Sequence, residues 1–183
     1  MPTTAVKYPG TVSQSVTAGV DWANPDRVSA SDDSRATTGT ITLEASSETI
    51  YCTNFDFSEI PPAARIVRVY VDVEGNAVTA AANLSQSSVN LRVAGANAGS
   101  SFHNAGHPTA AVETVDTVNS TIAALGLNIY GDTVRLSTFG VGISYGGIAD
   151  DDVISIDSVG MRIEWEPPGS FRTLGRSRNF RGR

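Results

Sequence analysis

Ala63-Ala64-Arg65-Ile66-Val67-Arg68-Val69-Tyr70-Val71-Asp72-Val73-Glu74-Gly75 is the stretch on which the fold turns. Val67, Val69, Val71 and Val73 alternate with Arg68, Tyr70, Asp72 and Glu74, the two-residue period of a strand with one face buried and the other in solvent. A helix would scatter those valines around its circumference. The alternation returns at Val89, Leu91 and Val93 around Asn90 and Arg92, and at Val159, Met161, Ile163 and Trp165 around Arg162 and Glu164.

Outward from these three segments, Thr40 to Glu44, Glu48 to Phe57, Val134 to Tyr145 and Val153 to Asp157 read as further strands. Phe55 and Phe57 fall on one face of the second, which stops at Ile60-Pro61-Pro62 because two prolines remove two ladder donors. Trp22 to Arg35 reads as a loop, built around Asn24-Pro25-Asp26 and Ser31-Asp32-Asp33-Ser34. Only Thr117 to Leu127, with Val118, Ile122 and Leu125 three or four apart and Gly126 as a stop, has a helical spacing. Seven or more short strands separated by turn signals predict an all-β fold, an antiparallel, jelly-roll-like two-sheet β-sandwich.

The 183 residues suit one domain with its own core. Residues 1–20, polar and punctuated by Pro2, Pro9, Gly10 and Gly19, read as an extended N-terminal arm or an edge strand. Residues 21–166 form the sandwich, and 167–183, beginning at Pro167-Pro168-Gly169, an Arg-rich tail. Charge divides the same way. Up to Phe171 there are eight basic residues against nineteen acidic, a charge of −11, while the last twelve residues carry five arginines and no acid. Such an acidic body repels nucleic acid. The tail's Arg172, Arg176, Arg178, Phe180, Arg181 and Arg183 are therefore expected to dock on an acidic protein surface. No apolar run of membrane-spanning length is present and the N-terminus lacks a signal-peptide pattern, so a soluble protein made without a secretion signal is expected.

Catalytic chemistry finds little to work with. His103 and His107 are the only histidines, and Gly106 and Pro108 oppose the helix that would align them as metal ligands. Asp150-Asp151-Asp152 lacks the spaced oxygen ligands of a calcium loop and reads as a solvated turn. Cys52, the single cysteine, lies in an alternating apolar stretch and reads as a buried thiol. No glycine-rich phosphate loop occurs. The expectation is a non-enzymatic protein without metal or cofactor. Trp22, Tyr51, Tyr70, Tyr130 and Tyr145 could supply a sugar-stacking platform, with Tyr145 and Trp22 as its exposed rings.

With the strands placed, Trp22-Ala23-Asn24-Pro25, then Phe55-Asp56-Phe57 with Ile60-Pro61, Ala64 and Ile66 leading into the valine strand, resembles a β-sandwich domain that recurs in structural proteins of tailed-bacteriophage virions. The likeness continues at Tyr130-Gly131, Phe139-Gly140-Val141 and Asp157 before Val159, Met161 and Ile163, and covers about residues 22 to 165. Asp32-Asp33 stands where glycine is common, and Tyr130 where tryptophan is. The resemblance implies a virion role, with synthesis in the host cytoplasm. The expected function is a capsid-decorating or cement protein, a dimer or trimer that binds the major capsid protein or other virion subunits. The alternative is a tail, neck or fibre component, including a module for host-surface glycans.

Overall fold

The computed structural model describes residues 1–78, 84–105, 112–149 and 151–169. Among these residues ten strands form two antiparallel five-stranded sheets. They are β1 (Pro9–Gln14), β2 (Trp22–Ala23), β3 (Ala36–Thr38), β4 (Ile50–Phe55), β5 (Arg65–Ala77), β6 (Leu84–Val93), β7 (Ala96–Ala98), β8 (Thr114–Thr121), β9 (Gly140–Gly147) and β10 (Ile154–Glu166). The first sheet has the order β1-β4-β9-β6-β7 and the second β2-β3-β10-β5-β8. From β8 onward each strand lies in the opposite sheet from its predecessor, and the two sheets close one core between them. The expected β-sandwich is the observed fold.

β5 runs antiparallel between β10 and β8, and its buried residues Val69, Val71 and Val73 are those the alternation assigned to the core. Val67 is not among them. The register between β5 and β10 shifts between Glu164 and Trp165, where Ile66 takes the place opposite Trp165, and it is Ile66 that is buried. The extra residue of a bulge reverses the facing of everything before it. A second shift, between Ile156 and Ser158, explains why Val153 to Asp157 and the segment beginning at Val159 look like separate strands. They are one strand, β10, in which Ile154 and Ile156 face the core before Asp157, and Val159, Met161 and Ile163 after it. A third, in β6 between Gln86 and Ser88, does the same for Leu84 and Gln86 against Val89 and Leu91.

The helix expected over Thr117 to Leu127 is instead β8 followed by turns, with Gly126 at φ +72°. Val118, Ile122 and Leu125 are all buried, but the first lies on the strand and the others in the turns, so their spacing mimicked a helical stripe. Of the strand expected over Val134 to Tyr145, the part from Gly140 is β9, while Val134 closes the one-turn helix α1 (Gly131–Val134). Thr40 to Glu44 makes only isolated bridges, Ile41 to Asp152 and Leu43 to Gly147. The expected loop after Trp22 contains β2 and a 3-10 turn, Pro25–Val28. Among the described residues no helix is long and apolar enough to cross a membrane.

Within residues 1–20, Pro9–Gln14 forms β1 at the edge of the first sheet. The Lys7 N–H donates to the Met161 carbonyl at 2.9 Å and the Met161 N–H returns to Lys7 at 2.8 Å, while Trp165 donates to Pro2 at 3.1 Å. From Pro9 the chain leaves β10 and pairs as β1 with β4 of the other sheet. The N-terminal segment therefore laces both sheets at one edge. Glu48 holds the return: its buried carboxylate accepts from the Ser15 hydroxyl, from the Thr17 hydroxyl at 2.9 Å and from the Gly19 N–H at 2.8 Å. The Ser15 hydrogen bond, reinforced by those from Thr17 and Gly19, outweighs desolvation and lowers the Glu48 pKa from 4.5 to about 2. A folded-state value below the unfolded one stabilises the protein above about pH 4.5, and that stabilisation is lost as the pH falls toward 2. Glu48→Gln is expected to be less stable at neutral pH and to show a shallower loss of stability over this window, measured by urea unfolding at stepped pH. An unchanged acid limb would show that Glu48 does not couple folding to protons.

Candidate interaction face

The outer face of the second sheet carries a connected set of ion pairs and hydrogen bonds. Alternation along β5 puts Arg68, Tyr70, Asp72 and Glu74 on this side, and antiparallel register sets Ser158, Gly160, Arg162 and Glu164 of β10 beside them. Arg162 grips Asp72 with both ends of its guanidinium, Nε to Oδ2 and Nη2 to Oδ1, each at 2.8 Å, and the Thr117 hydroxyl of β8 donates to Oδ1 at 2.6 Å. The hydrogen bonds that Arg162 donates to Asp72 raise the Arg162 pKa, against a smaller opposing effect of burial. The same guanidinium lies 4.9 Å from the centre of the Tyr70 ring. Arg68 reaches Glu164 at 3.6 Å and Asn119 at 2.7 Å. These cations are occupied in cross-strand pairs, which fixes the face as a rigid plate.

Beside this lattice lies a shallow groove of about 430 Å³, walled by Val6, Tyr8 and Val115 and floored by Gly160, with Asp72, Glu74, Ser158 and Arg162 along it. The missing side chain at Gly160 admits the N-terminal segment, since a Cβ there would lie 2.5 Å from Val6 Cγ1. Val6, Tyr8 and Val115 are 40%, 42% and 59% exposed, and Val112, just before β8, is 69% exposed. Among the described strands β8 has a hydrogen-bonded neighbour on one side only, so the apolar wall adjoins an open sheet edge.

At one end the groove meets a wall of carboxylates. Glu74 accepts from the Ser158 hydroxyl at 3.0 Å, and Arg35 pairs with Glu113 at 2.7 Å and stands 3.9 Å from Asp33. Asp157, the extra residue of the β10 bulge, is 2% exposed. Desolvation raises the pKa of both Glu113 and Asp157; Arg35 opposes this at Glu113, while Glu74 and Asp33 add to it at both. Glu113 Oε1 and Asp157 Oδ1 are buried without a hydrogen-bond partner among the described residues.

Other expected site residues distribute differently. Tyr145 and Trp22 are 0% and 4% exposed and pack edge to face with ring centres 6.3 Å apart, so both belong to the core and neither can stack on a sugar. The Trp22 indole donates to the Glu48 carbonyl at 2.7 Å. Tyr51 lies on the outer face of the first sheet, beneath the Arg92 guanidinium at 3.9 Å, in a groove of about 400 Å³ lined by Thr11, Ser13, Thr53, Ser137 and Thr138. His103 is exposed, its Nδ1 3.1 Å from the Ser101 hydroxyl. Asp152 is buried, exchanges backbone hydrogen bonds with Ile41 and accepts from the Val153 N–H at 2.7 Å. Cys52 is fully buried, and desolvation drives its thiol pKa far up. No group of three His, Cys, Asp or Glu side chains suited to a metal ion occurs among the described residues. His107, Asp150 and the tail residues Arg172, Arg176, Arg178, Phe180, Arg181 and Arg183 lie outside the described residues.

The carboxylate wall is what the sequence reading missed. Asp33, Glu74, Glu113 and Asp157 stand about forty residues apart along the chain and meet only when β3, β5, β8 and β10 are side by side. The acidic excess of the body was the one signal of it. No protein-family model, curated protein or solved structure matches this chain.

Proposed function

We propose that this protein is a non-enzymatic structural subunit of a tailed-phage virion, decorating the capsid shell by binding the major capsid protein through the β8 edge and the groove beside it. The observation that carries the reading is the β8 edge, unpaired among the described strands, with exposed Val115 and Val112, continuous with the apolar wall of Val6 and Tyr8 on a rigid ion-paired plate. An unpaired strand offers backbone hydrogen bonds and its flanking apolar residues offer area, the combination by which sheets add a strand from a partner. The sequence likeness to virion sandwich domains supplies the kind of partner.

The test is co-sedimentation with undecorated capsids of the cognate phage, in parallel with isolated tails. Saturable binding to capsids is expected. Val115→Lys, which places a charge on the exposed wall, should weaken it about tenfold, the equivalent of ~1.4 kcal/mol, while leaving the fold unchanged. Binding only to tails, or to neither, would overturn the decoration reading.

A second reading, a module for host-surface glycans, is favoured by the Arg92 groove, whose six hydroxyl-bearing side chains surround a guanidinium with no carboxylate partner among the described residues. Binding of acidic oligosaccharides that Arg92→Ala abolishes would support it over decoration, and a blank glycan screen would remove it.

A further inference from the structure

Register makes the β8 edge legible residue by residue. Val115, Thr117 and Asn119 lie opposite Glu74, Asp72 and Tyr70 of β5 and share the outer face with them, while Val118, opposite Val71, turns into the core. Glu113, one residue before β8, continues the outward row. Its Oε2 meets Arg35 Nη2 at 2.7 Å, and Arg35 Nη1 reaches Asn76 Oδ1, the next outward side chain of β5, at 3.5 Å. From its start, the edge therefore presents an acid, then an exposed valine, then two exposed neutral polar side chains.

Charge along this row is uneven. Toward the end of β8 the acids of the plate have their cations, Asp72 with Arg162 and Glu164 with Arg68. At its start Asp33, Glu74, Glu113 and Asp157 gather around Arg35, the only basic residue among the groups acting on Glu113 and Asp157. Glu113 Oε1 and Asp157 Oδ1 are buried without a hydrogen-bond partner among the described residues, and Asp157 as a whole is 2% exposed. Carboxylates so placed are costly, and an added cation lowers that cost.

β8 also lacks the devices that keep sheet edges from pairing. Its eight residues run beside β5 without a register shift and include no proline, lysine or arginine. An extended segment added to it would pair backbone with backbone and set every second side chain beside the outward row. Antiparallel addition, the arrangement of the strand pairs in both sheets, points the C-terminal end of that segment toward Glu113. One of its side chains then packs on Val115, the outer wall of the groove, and the side chain two residues later lies beside Glu113.

We propose that the partner segment added to β8 carries a lysine or arginine two residues after an aliphatic residue, the aliphatic side chain packing on Val115 and the cation meeting Glu113 at the carboxylate wall. The inference rests on the reading of β8 as the binding edge, and it names the chemistry of what binds there.

The experiment uses the full chain and four end-blocked synthetic peptides built on a serine and threonine background. The first has valine followed two residues later by lysine. The second replaces that lysine by glutamate, the third exchanges the valine and the lysine, and the fourth replaces the valine by serine. In fluorescence anisotropy titrations at low salt the first should bind about tenfold more tightly than each of the others. On its addition the amide signals of Val115, Thr117 and Asn119 should shift, while those of Thr53 and Arg92 on the opposite sheet stay. In Glu74→Gln/Glu113→Gln the lysine and glutamate peptides should bind alike. The preference of the unsubstituted chain should also shrink in about 1 M salt, where the screening length falls to about 3 Å. Equal binding of the lysine and glutamate peptides to the unsubstituted chain, a comparison that needs no protein variant, would overturn the proposal. So would a preference that survives in the glutamine variant, or shifts confined to other strands. Capsid binding unchanged in the glutamine variant would overturn it and leave decoration standing, whereas the peptide preference without capsid binding would support it and overturn decoration.

Discussion

Gly140→Ala is expected to destabilise the protein by about 3 kcal/mol, the upper part of the range for overpacking a closed core. Gly140 begins β9 and is buried between β4 and β6, opposite Thr53 on one side and Arg92 on the other. A Cβ built there would stand 1.9 Å from the Cys52 carbonyl oxygen and 2.8 Å from Thr53 Cα. Both obstacles are backbone of a neighbouring strand, so relief requires β4 and β9 to separate, with loss of ladder hydrogen bonds. Neither atom can rotate away as a side-chain end could. For a chain of this size the penalty corresponds to a fall of about 10 °C in Tm. The matching control is Gly95→Asn, in the two-residue turn between β6 and β7, where Gly95 has φ +80° and an added Cβ meets nothing within 4 Å. Asparagine tolerates that conformation, so this variant should stay within about 0.5 kcal/mol of the parent. Equal stability of the two variants in urea unfolding would show that the closeness of β4 and β9 does not constrain the fold.

Phe57→Ala is expected to cost about 4 kcal/mol, the middle of the range for removing a fully buried aromatic ring. Phe57 is 1% exposed and joins two other rings: Phe55, nearly parallel at 5.9 Å, and Phe139, edge to face at 6.2 Å. It therefore ties the end of β4 to the turn that launches β9. Its backbone is held by a hydrogen bond from its N–H to the Phe55 carbonyl and one from the Ile60 N–H to its own carbonyl, so the chain cannot easily collapse into the space left. Phe57→Leu, which keeps most of the volume, should lose less than half as much. Comparable losses for Ala and Leu in chemical denaturation would mean that ring geometry, and not filled volume, supplies the stability.

The burial of Phe55 and Phe57 together and the alternation of Val69, Val71 and Val73 were legible in the sequence, because each is a local property of the chain. The failures cluster where a local pattern has two readings. Val118, Ile122 and Leu125 satisfy a helical spacing and are equally well buried by a strand that ends at Thr121 and then turns. Ile66 and Val67 are both apolar, and only the bulge opposite Trp165 selects which of them enters the core. Tyr145 and Trp22, plausible as exposed platforms from their type alone, are buried because β9 and β2 bring their rings together across the two sheets.

What the sequence by itself determined is the class of fold, since a two-residue apolar period repeated along several segments can bury its apolar faces only by pairing sheets. It also determined the separation of an acidic body from a basic C-terminal segment, which is a matter of composition. The tertiary structure alone decided that the N-terminal segment laces both sheets, that β8 is the edge of its sheet among the described strands, and that carboxylates from four distant parts of the chain converge beside an apolar groove. The physical reason is that edge position, bulge register and charge convergence are relations between strands. Each depends on which strands become neighbours, and no residue of a strand carries that information until the partner is beside it.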